Sequence, residues 1–504
     1  MIKINEREDR LRKLEELKKI NINPHPAKTE KNNSINIVLA EFEKLQTAGA
    51  ELKLAGRLRS LRGHGNLTFA HLEDGTAKIQ LAFSKKEIGA DSYKIFSKFI
   101  DIGDFLEITG VAFLTHNGEK SVMVKNWKLL TKAIRPLPEK WHGLSDEEEL
   151  FRKRYLDILF NPEVKEMFIK RAKFWQSIRN FLIKKDFLEV ETPVLENTPG
   201  GAEAKPFITH HNALAMDVFL RISQELWLKR LIIAGYPKVF EIGRIFRNEG
   251  MDAEHLQDYT AMEFYNAYSD YEQGMKLIEE MYKYVAEQTF NTLKFKIKGF
   301  NVDLNKKWET YDYLKIIKEK TGVDILNTDL KTVETTLKKL KVNYSQQGFN
   351  LTRGIDNLWK FCRKKIAGPG FLINVPVAME PLAKRMEKNP DLVERFQVIL
   401  AGSEMGKGFS ELNDPIDQAG RFAEQTKLRE AGDEEAQMND TDFVEALEYG
   451  MPPTFGFGLS ERLFSFLMDK PLRECQIFPL MKPKKNVIPN TASAVEGSPK
   501  RAMK

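Results

Sequence analysis

The stretch Lys238-Val-Phe-Glu-Ile-Gly-Arg-Ile-Phe-Arg-Asn-Glu249 alternates strictly: Phe240, Ile242 and Phe246 fall on one face, and Glu241, Gly243 and Arg247 on the other. After a polar loop, Thr260-Ala-Met-Glu-Phe-Tyr265 alternates again, with Met262 and Phe264 opposite Glu263 and Tyr265. Two strands joined by that loop would bring Arg247, Glu263 and Tyr265 onto one open face. A guanidinium there can grip a phosphate or carboxylate in a bidentate way, and a carboxylate beside a phenol can recognise an ammonium. Spacing alone fits a surface hairpin with solvated charges equally well.

Around this pair the chain divides by texture. Leu11, Leu14, Leu17 and Ile20 step by three along a short helix in Asp9–Ile20. Residues 1–50 thus form an N-terminal helical segment. From 51 to 135, short alternating runs are broken by turn signals such as Asp74-Gly75 and Asn117-Gly118, which predicts a small barrel of about five strands. A linker is expected over 136–160, marked by Pro136 and Pro138. Val164 to Leu182 returns to helical spacing and leads to the extended stretch Phe187–Leu195. From there to residue 484 the texture is that of an α+β domain, with a Lys-rich helical insertion over 305–365 in which no chemistry is apparent.

Composition narrows the function classes. The 504 residues are 42% hydrophobic and 30% charged, a globular profile, and the net charge is +6. From Lys482 onward six basic residues stand against Glu496 alone, so the basic excess is mostly that of a tail, and 485–504 is expected to be disordered. Two cysteines exclude a disulfide scaffold and a Cys-rich zinc site. No apolar run approaches the roughly 20 residues that span a bilayer. A cytoplasmic protein without membrane contact is expected.

Three further segments could carry chemistry. In Glu404-Met-Gly-Lys-Gly-Phe-Ser-Glu-Leu-Asn413, a strand would align Phe409, Glu411 and Asn413, and Gly406 and Gly408 would let a ligand approach the backbone; a Gly-rich turn before an edge strand is the plain alternative. Gly456-Phe-Gly-Leu-Ser-Glu-Arg462 precedes an apolar helical run, which suggests an anion site or an ordinary surface arginine. In the barrel, Lys53, Arg57 and Arg59 oppose Leu52, Leu54 and Leu58, and Gln80 opposes Ile79 and Leu81. Such a face with an aromatic like Phe69 suits single-stranded nucleic acid, unless Phe69 belongs to the core.

Taken together these segments resemble the class II lysyl-tRNA synthetases, from Glu6 to about Lys484. The motifs that carry the resemblance are Pro199-Gly-Gly-Ala, Phe207-Ile-Thr-His-His-Asn-Ala-Leu, Leu220-Arg-Ile-Ser-Gln-Glu-Leu, Phe246-Arg-Asn-Glu249, Gly408-Phe-Ser-Glu-Leu-Asn-Asp and the segment ending at Arg462. The resemblance implies an antiparallel-sheet catalytic domain, an N-terminal OB-fold barrel for the anticodon, a homodimer using the Pro193 segment, and ATP-dependent lysylation of tRNA(Lys) through lysyl-adenylate.

By resemblance, Arg247 bridges the α-phosphate and the lysine carboxylate, and Arg462 meets the terminal phosphate. Glu249, His255 and Tyr259 contact the nucleotide. Gly201 and Glu225 hold the α-amino group; Tyr265 and Glu411 hold the ε-ammonium, with Glu263 nearby and Phe409 along the alkyl chain. Arg57, Phe69, Gln80 and Glu119 read the anticodon, and Glu404 with Gln397 binds Mg²⁺. Three departures stand out. Lys407 replaces an asparagine and would repel bound lysine unless it faces a carboxylate or an acid such as Glu404; Gln397 replaces a glutamate; and the last signature is one residue short and ends Glu461-Arg462. The rival readings are a sister synthetase for aspartate or asparagine, which would use a cation such as Lys407, and a catalytically silent binding protein. A ligase that lysylates a protein is disfavoured, because such relatives lack the barrel.

Overall fold

The computed structural model describes residues 5–138, 147–250, 254–346, 348–433 and 436–483. They fall into two compact units, Met1–Gly143 and Leu144–Lys504. The tail expected over 485–504 lies outside the described residues.

The first unit opens with α1 (Glu6–Lys19), whose Asn5 cap accepts from the Arg7 amide and whose first turn is acidic and last turn basic, as the helix dipole favours. Leu17 is buried, but Ile20, expected on the same face, ends the helix exposed. Five strands follow: β1 (Glu51–His64), β2 (Leu67–Glu73), β3 (Lys78–Ser84), β4 (Phe105–Leu114) and β5 (Lys120–Thr131). They close into a barrel in the order β1-β2-β3-β5-β4. Leu52, Leu54 and Leu58 point inward while Lys53, Arg57 and Arg59 do not. Thr68 and Ala70 are buried, so Phe69 between them takes the outer face rather than the core.

In the second unit the expected linker is helical where it is described: α2 (Glu147–Arg152) and α3 (Arg154–Phe160), the latter pinned by the buried Arg154–Asp157 pair at 2.7 Å. Helix α4 (Pro162–Lys184) follows, then α5 (Glu225–Ile233) and α6 (Tyr271–Phe290). The centre is an eight-stranded sheet. Its strands are β6 (Leu188–Glu189), β7 (Lys238–Phe246), β8 (Asp258–Ala267), β9 (Glu309–Asp312), β10 (Gly370–Ile373), β11 (Arg395–Leu400), β12 (Ser403–Ser410) and β13 (Thr454–Ser460). They lie in the order β9-β10-β11-β12-β13-β8-β7-β6.

One face of this sheet is apolar: Phe240, Phe264, Phe457 and Phe396 join Phe174 and Ile178 of α4 and Ile278 and Met281 of α6 in one core. Burial of each such side chain contributes roughly 1.5–3 kcal/mol. Alternation then forces the polar residues onto the other face. The segment 305–365 carries three helices, Tyr313–Thr321, Leu330–Lys339 and Leu351–Arg363, but it is also tied into the sheet. It supplies the edge strand β9, and its last helix, α7 (Leu351–Arg363), brings Arg353, Asp356 and Trp359 to the cavity described below.

Candidate active site

Cross-strand rows decide which side chains meet. One row runs Tyr265, Gly456, Phe409, Arg395, and the next runs Glu263, Gly458, Lys407, Gln397. Directly opposed residues share a face, so both rows floor one cavity of about 430 Å³. Gly201, Glu225, Arg247, Glu263, Tyr265, Phe409 and Glu411 all line it, as do Tyr259, Gln397, Glu404 and Arg462. Gln397 and Ile399 oppose Lys407 and Glu404, so β12 carries one extra residue. This bulge restores Glu404 to the side of the sheet occupied by Lys407.

The acid end holds three carboxylates. Glu263 accepts from Ser223 Oγ at 2.8 Å and from the Tyr265 hydroxyl at 3.3 Å. Burial, reinforced by Glu225, pushes Glu263 up to about 7. Gly201, at φ +83°, closes over Glu225, since a Cβ there would strike the Glu225 and Ser223 side chains. Glu411 is 1% exposed, and burial pushes its carboxyl well above the usual range. The feature that sequence reasoning missed is Lys229. Its ammonium, 0% exposed, lies 2.6 Å from Glu225 Oε1 and in contact with Glu411. No other donor among the described residues reaches the Glu411 carboxylate. Burial opposes the charged form of Lys229, but Glu225 and Glu411 outweigh it and hold the lysine above its ordinary value. The Glu225/Lys229 spacing of four on α5 was the available signal.

The cation end holds Arg247, whose Nε donates to the Ile222 carbonyl at 3.3 Å and whose guanidinium lies 5.8 Å from the Tyr259 ring centre. Arg462 pairs with Glu254 and donates to the Glu404 carbonyl at 3.3 Å. Lys407 does not plug the acid end. Its ammonium meets Glu380 at 2.9 Å, not Glu404.

The residues expected to bind Mg²⁺ are engaged with side chains of the protein itself. Gln397 Oε1 accepts from Arg395 at 2.7 Å, and Glu404 Oε1 accepts from Trp359 Nε1 at 2.6 Å. Among the described residues no group of three His, Cys, Asp or Glu side chains is arranged to hold a metal ion. Mg²⁺ usually keeps several waters and takes one or two carboxylates plus phosphate oxygens, so Glu404 and Gln397 offer part of a coordination shell and not the whole of one.

Three of the glycines in these strands make room for side chains of the protein itself. A Cβ at Gly406 would strike the Phe457 ring and Tyr282, and one at Gly408 the Phe455 and Phe396 rings, all on the apolar side. Gly456 makes room for Glu411 and Tyr265 inside β13, so it forms no anion loop. Nor do all expected residues converge. Glu249 lines a neighbouring cavity with Arg353, and His255 is exposed and lines neither.

In the barrel, Gln80 donates to Glu119, which also contacts His71 Nε2 at 3.3 Å; His71 Nδ1 is hydrogen-bonded to Ser60 at 2.8 Å. Phe69 lies two residues along the same face of β2 from His71. Arg57 stands apart, stacked 4.3 Å from the Phe105 ring centre and donating to the Gly103 carbonyl.

Comparison with known proteins supplies the context. Residues 146–482 match the family described as tRNA synthetases class II (D, K and N), and residues 52–130 match the OB-fold nucleic acid binding domain. Lysine–tRNA ligase of Carboxydothermus hydrogenoformans is 44% identical over 94% of this chain and 97% of its own. That of Thermotoga maritima is 43% identical over 95% and 96%, and that of Moorella thermoacetica 44% over 94% and 97%.

Proposed function

The chain belongs to the class II tRNA synthetases (D, K and N), in their lysine–tRNA ligase branch, and from that premise we infer how its cavity works. It is an ATP-dependent ligase that joins L-lysine to tRNA through lysyl-adenylate. The observation that carries the residue assignment is the charge of the acid end: three carboxylates (Glu225, Glu263, Glu411) against one fixed ammonium, Lys229, around a phenol. With all three ionised two negative charges remain; burial raises Glu263 and Glu411 in the ligand-free protein, and the two ammonium groups of lysine would draw them into that charged form. A neutral or acidic side chain would leave a buried carboxylate unpaired, which costs far more than a lost apolar contact.

Gly201 and Glu225 receive the α-ammonium, Tyr265, Glu411 and Glu263 the ε-ammonium, and Phe409 flanks the alkyl chain. Arg247 then holds lysine's carboxylate against the α-phosphate, Tyr259 stacks on adenine, and Glu249 and His255 add nucleotide contacts. Arg462 exchanges Glu254 for the terminal phosphate. The carboxylate oxygen attacks the α-phosphorus, the bond to the bridging oxygen breaks, and pyrophosphate departs; tRNA's terminal ribose hydroxyl then attacks the lysyl carbonyl carbon, gives up its proton, and AMP departs as the acyl–phosphate bond breaks. No side chain serves as nucleophile, so catalysis is positioning plus charge neutralisation. Mg²⁺ arrives with ATP, where it would neutralise phosphate charge, and Glu404 is the carboxylate to meet it.

Arg57, Phe69, Gln80 and Glu119 face the anticodon of tRNA(Lys). A homodimer is supported by exposed Leu188, Val194, Leu195 and Ile208 around the Pro193 segment, an apolar grouping of the kind that marks interfaces. No described helix is long and apolar enough to cross a membrane; the cytoplasm, where tRNA and ATP meet, is our assignment. ATP–pyrophosphate exchange measured with each of the twenty amino acids tests the proposal. Lysine alone is expected to drive it. Exchange driven by aspartate or asparagine overturns the specificity, and none at all favours a silent binding protein.

A further inference from the structure

Lys407 and Gln397 oppose one another across β11 and β12, and both open onto the cavity. The row continues through Gly458 to Glu263. Gly458 has no side chain, so a trough runs from the Lys407 position towards the acid end. Carboxylates and cations mix in this quarter, where Glu203 and Glu404 line the cavity beside Arg395 and Lys407. One carboxylate, Glu380, is shared by Arg395 at 3.0 Å and Lys407 at 2.9 Å. Glu380 and Arg395 are buried, whereas the Lys407 side chain is 42% exposed. It is the member of the trio free to turn towards a ligand. Opposite it stands an amide, Gln397, whose oxygen Arg395 already holds. Where a second carboxylate would gather a divalent metal, the chain therefore presents cations.

We propose that Lys407 is a catalytic cation of adenylate formation, its ammonium facing the anions that meet in that step and supplying positive charge that a protein-held divalent metal would otherwise bring. The anions are lysine's carboxylate and the α-phosphate of ATP. The inference rests on the lysine–tRNA ligase reading. The ammonium stays protonated throughout. As the carboxylate oxygen bonds to phosphorus and the electron pair of the breaking bond leaves with pyrophosphate, Lys407 acts by Coulomb attraction alone, which a water-poor cavity strengthens. Glu380 keeps the lysine parked above the trough before substrates arrive.

Calorimetric titration of the full chain, wild type against Lys407→Met, tests this with three ligands: lysine alone, ATP with EDTA, and ATP with saturating Mg²⁺. The variant is expected to lose about tenfold or more in affinity for metal-free ATP if the ammonium meets the phosphate, or for lysine if it meets the carboxylate. Saturating Mg²⁺ should shrink the ATP deficit, and the Mg²⁺ concentration that half-saturates pyrophosphate exchange should rise. Lys407→Arg should restore both. Unchanged affinity for both ligands with an unchanged Mg²⁺ requirement overturns the proposal, even if the variant melts earlier through loss of the Glu380 pair. If Lys407→Met does not fold, as circular dichroism would show, Lys407→Gln carries the same comparison. Wild type that binds no lysine would instead refute the ligase reading.

Discussion

The barrel and the catalytic sheet start from the same alternation and end in different chemistry. On the outer face of the barrel, Phe69, His71, Gln80 and Glu119 are half-buried or exposed, and His71 and Gln80 are both hydrogen-bonded to Glu119. On the polar face of the eight-stranded sheet, Glu263, Glu411 and Lys229 are buried. Water screens charges in the first case and not in the second, so a similar set of side chains is worth tenths of a kcal/mol in one place and several in the other. Burial of the ungreasy face, more than its composition, separates a reading surface from a reaction chamber.

Four substitutions would break or sharpen that contrast. The largest effect is expected from Arg247→Ala, which should lower ATP–pyrophosphate exchange by about 10³-fold or more, about 4 kcal/mol of transition-state stabilisation, and leave tRNA binding in a filter or fluorescence assay intact. Next, Lys229→Met should cost about 3–5 kcal/mol of stability in chemical denaturation, because it leaves Glu225 and Glu411 buried without their cation; a loss below 1 kcal/mol would mean the acid end is wetter than its burial implies.

Third comes Glu263→Gln. The folded carboxyl sits at about 7, above its unfolded value, so the folded state binds the proton more tightly. Its contribution is complete below the unfolded pKa and lost as pH rises through about 7. The ligand-free variant should therefore escape about 2–3 kcal/mol of the wild type's decline between pH 5 and pH 8, followed by thermal melts, while losing lysine affinity. The smallest effect is expected in the barrel. Phe69→Ala should weaken tRNA binding by about 1–3 kcal/mol with exchange unchanged, and equal loss of both would show that the ring supports the fold instead.

Much of the site was legible because sheets report side-chain direction with period two. Lys238–Tyr265 shows which residues face Glu263 and Tyr265, and Gly408–Glu411 shows that Phe409 and Glu411 share a side. What stayed hidden depends on neighbours far away in the chain. Lys229 reads as one more charge on an amphipathic helix until the sheet brings Glu411 against it. Arg395 and Glu380 meet Lys407 only through strand order. Gly406 and Gly408 announce close packing, but nothing local tells whether a ligand or a phenylalanine does the packing. The 305–365 segment hides its strand because Glu309–Asp312 is too short to register beside three helices.

The extra residue in β12 ties the direction of Glu404 to the bulge that absorbs it. Straightening β12 without shortening it would trade Glu404 for Met405 on the open side and drive a carboxylate among the phenylalanines beneath, whereas removing the extra residue along with the bulge would leave Glu404 and Lys407 on one side. Laboratory-evolved descendants can thus be expected either to keep the bulge or to lose it together with one residue of β12.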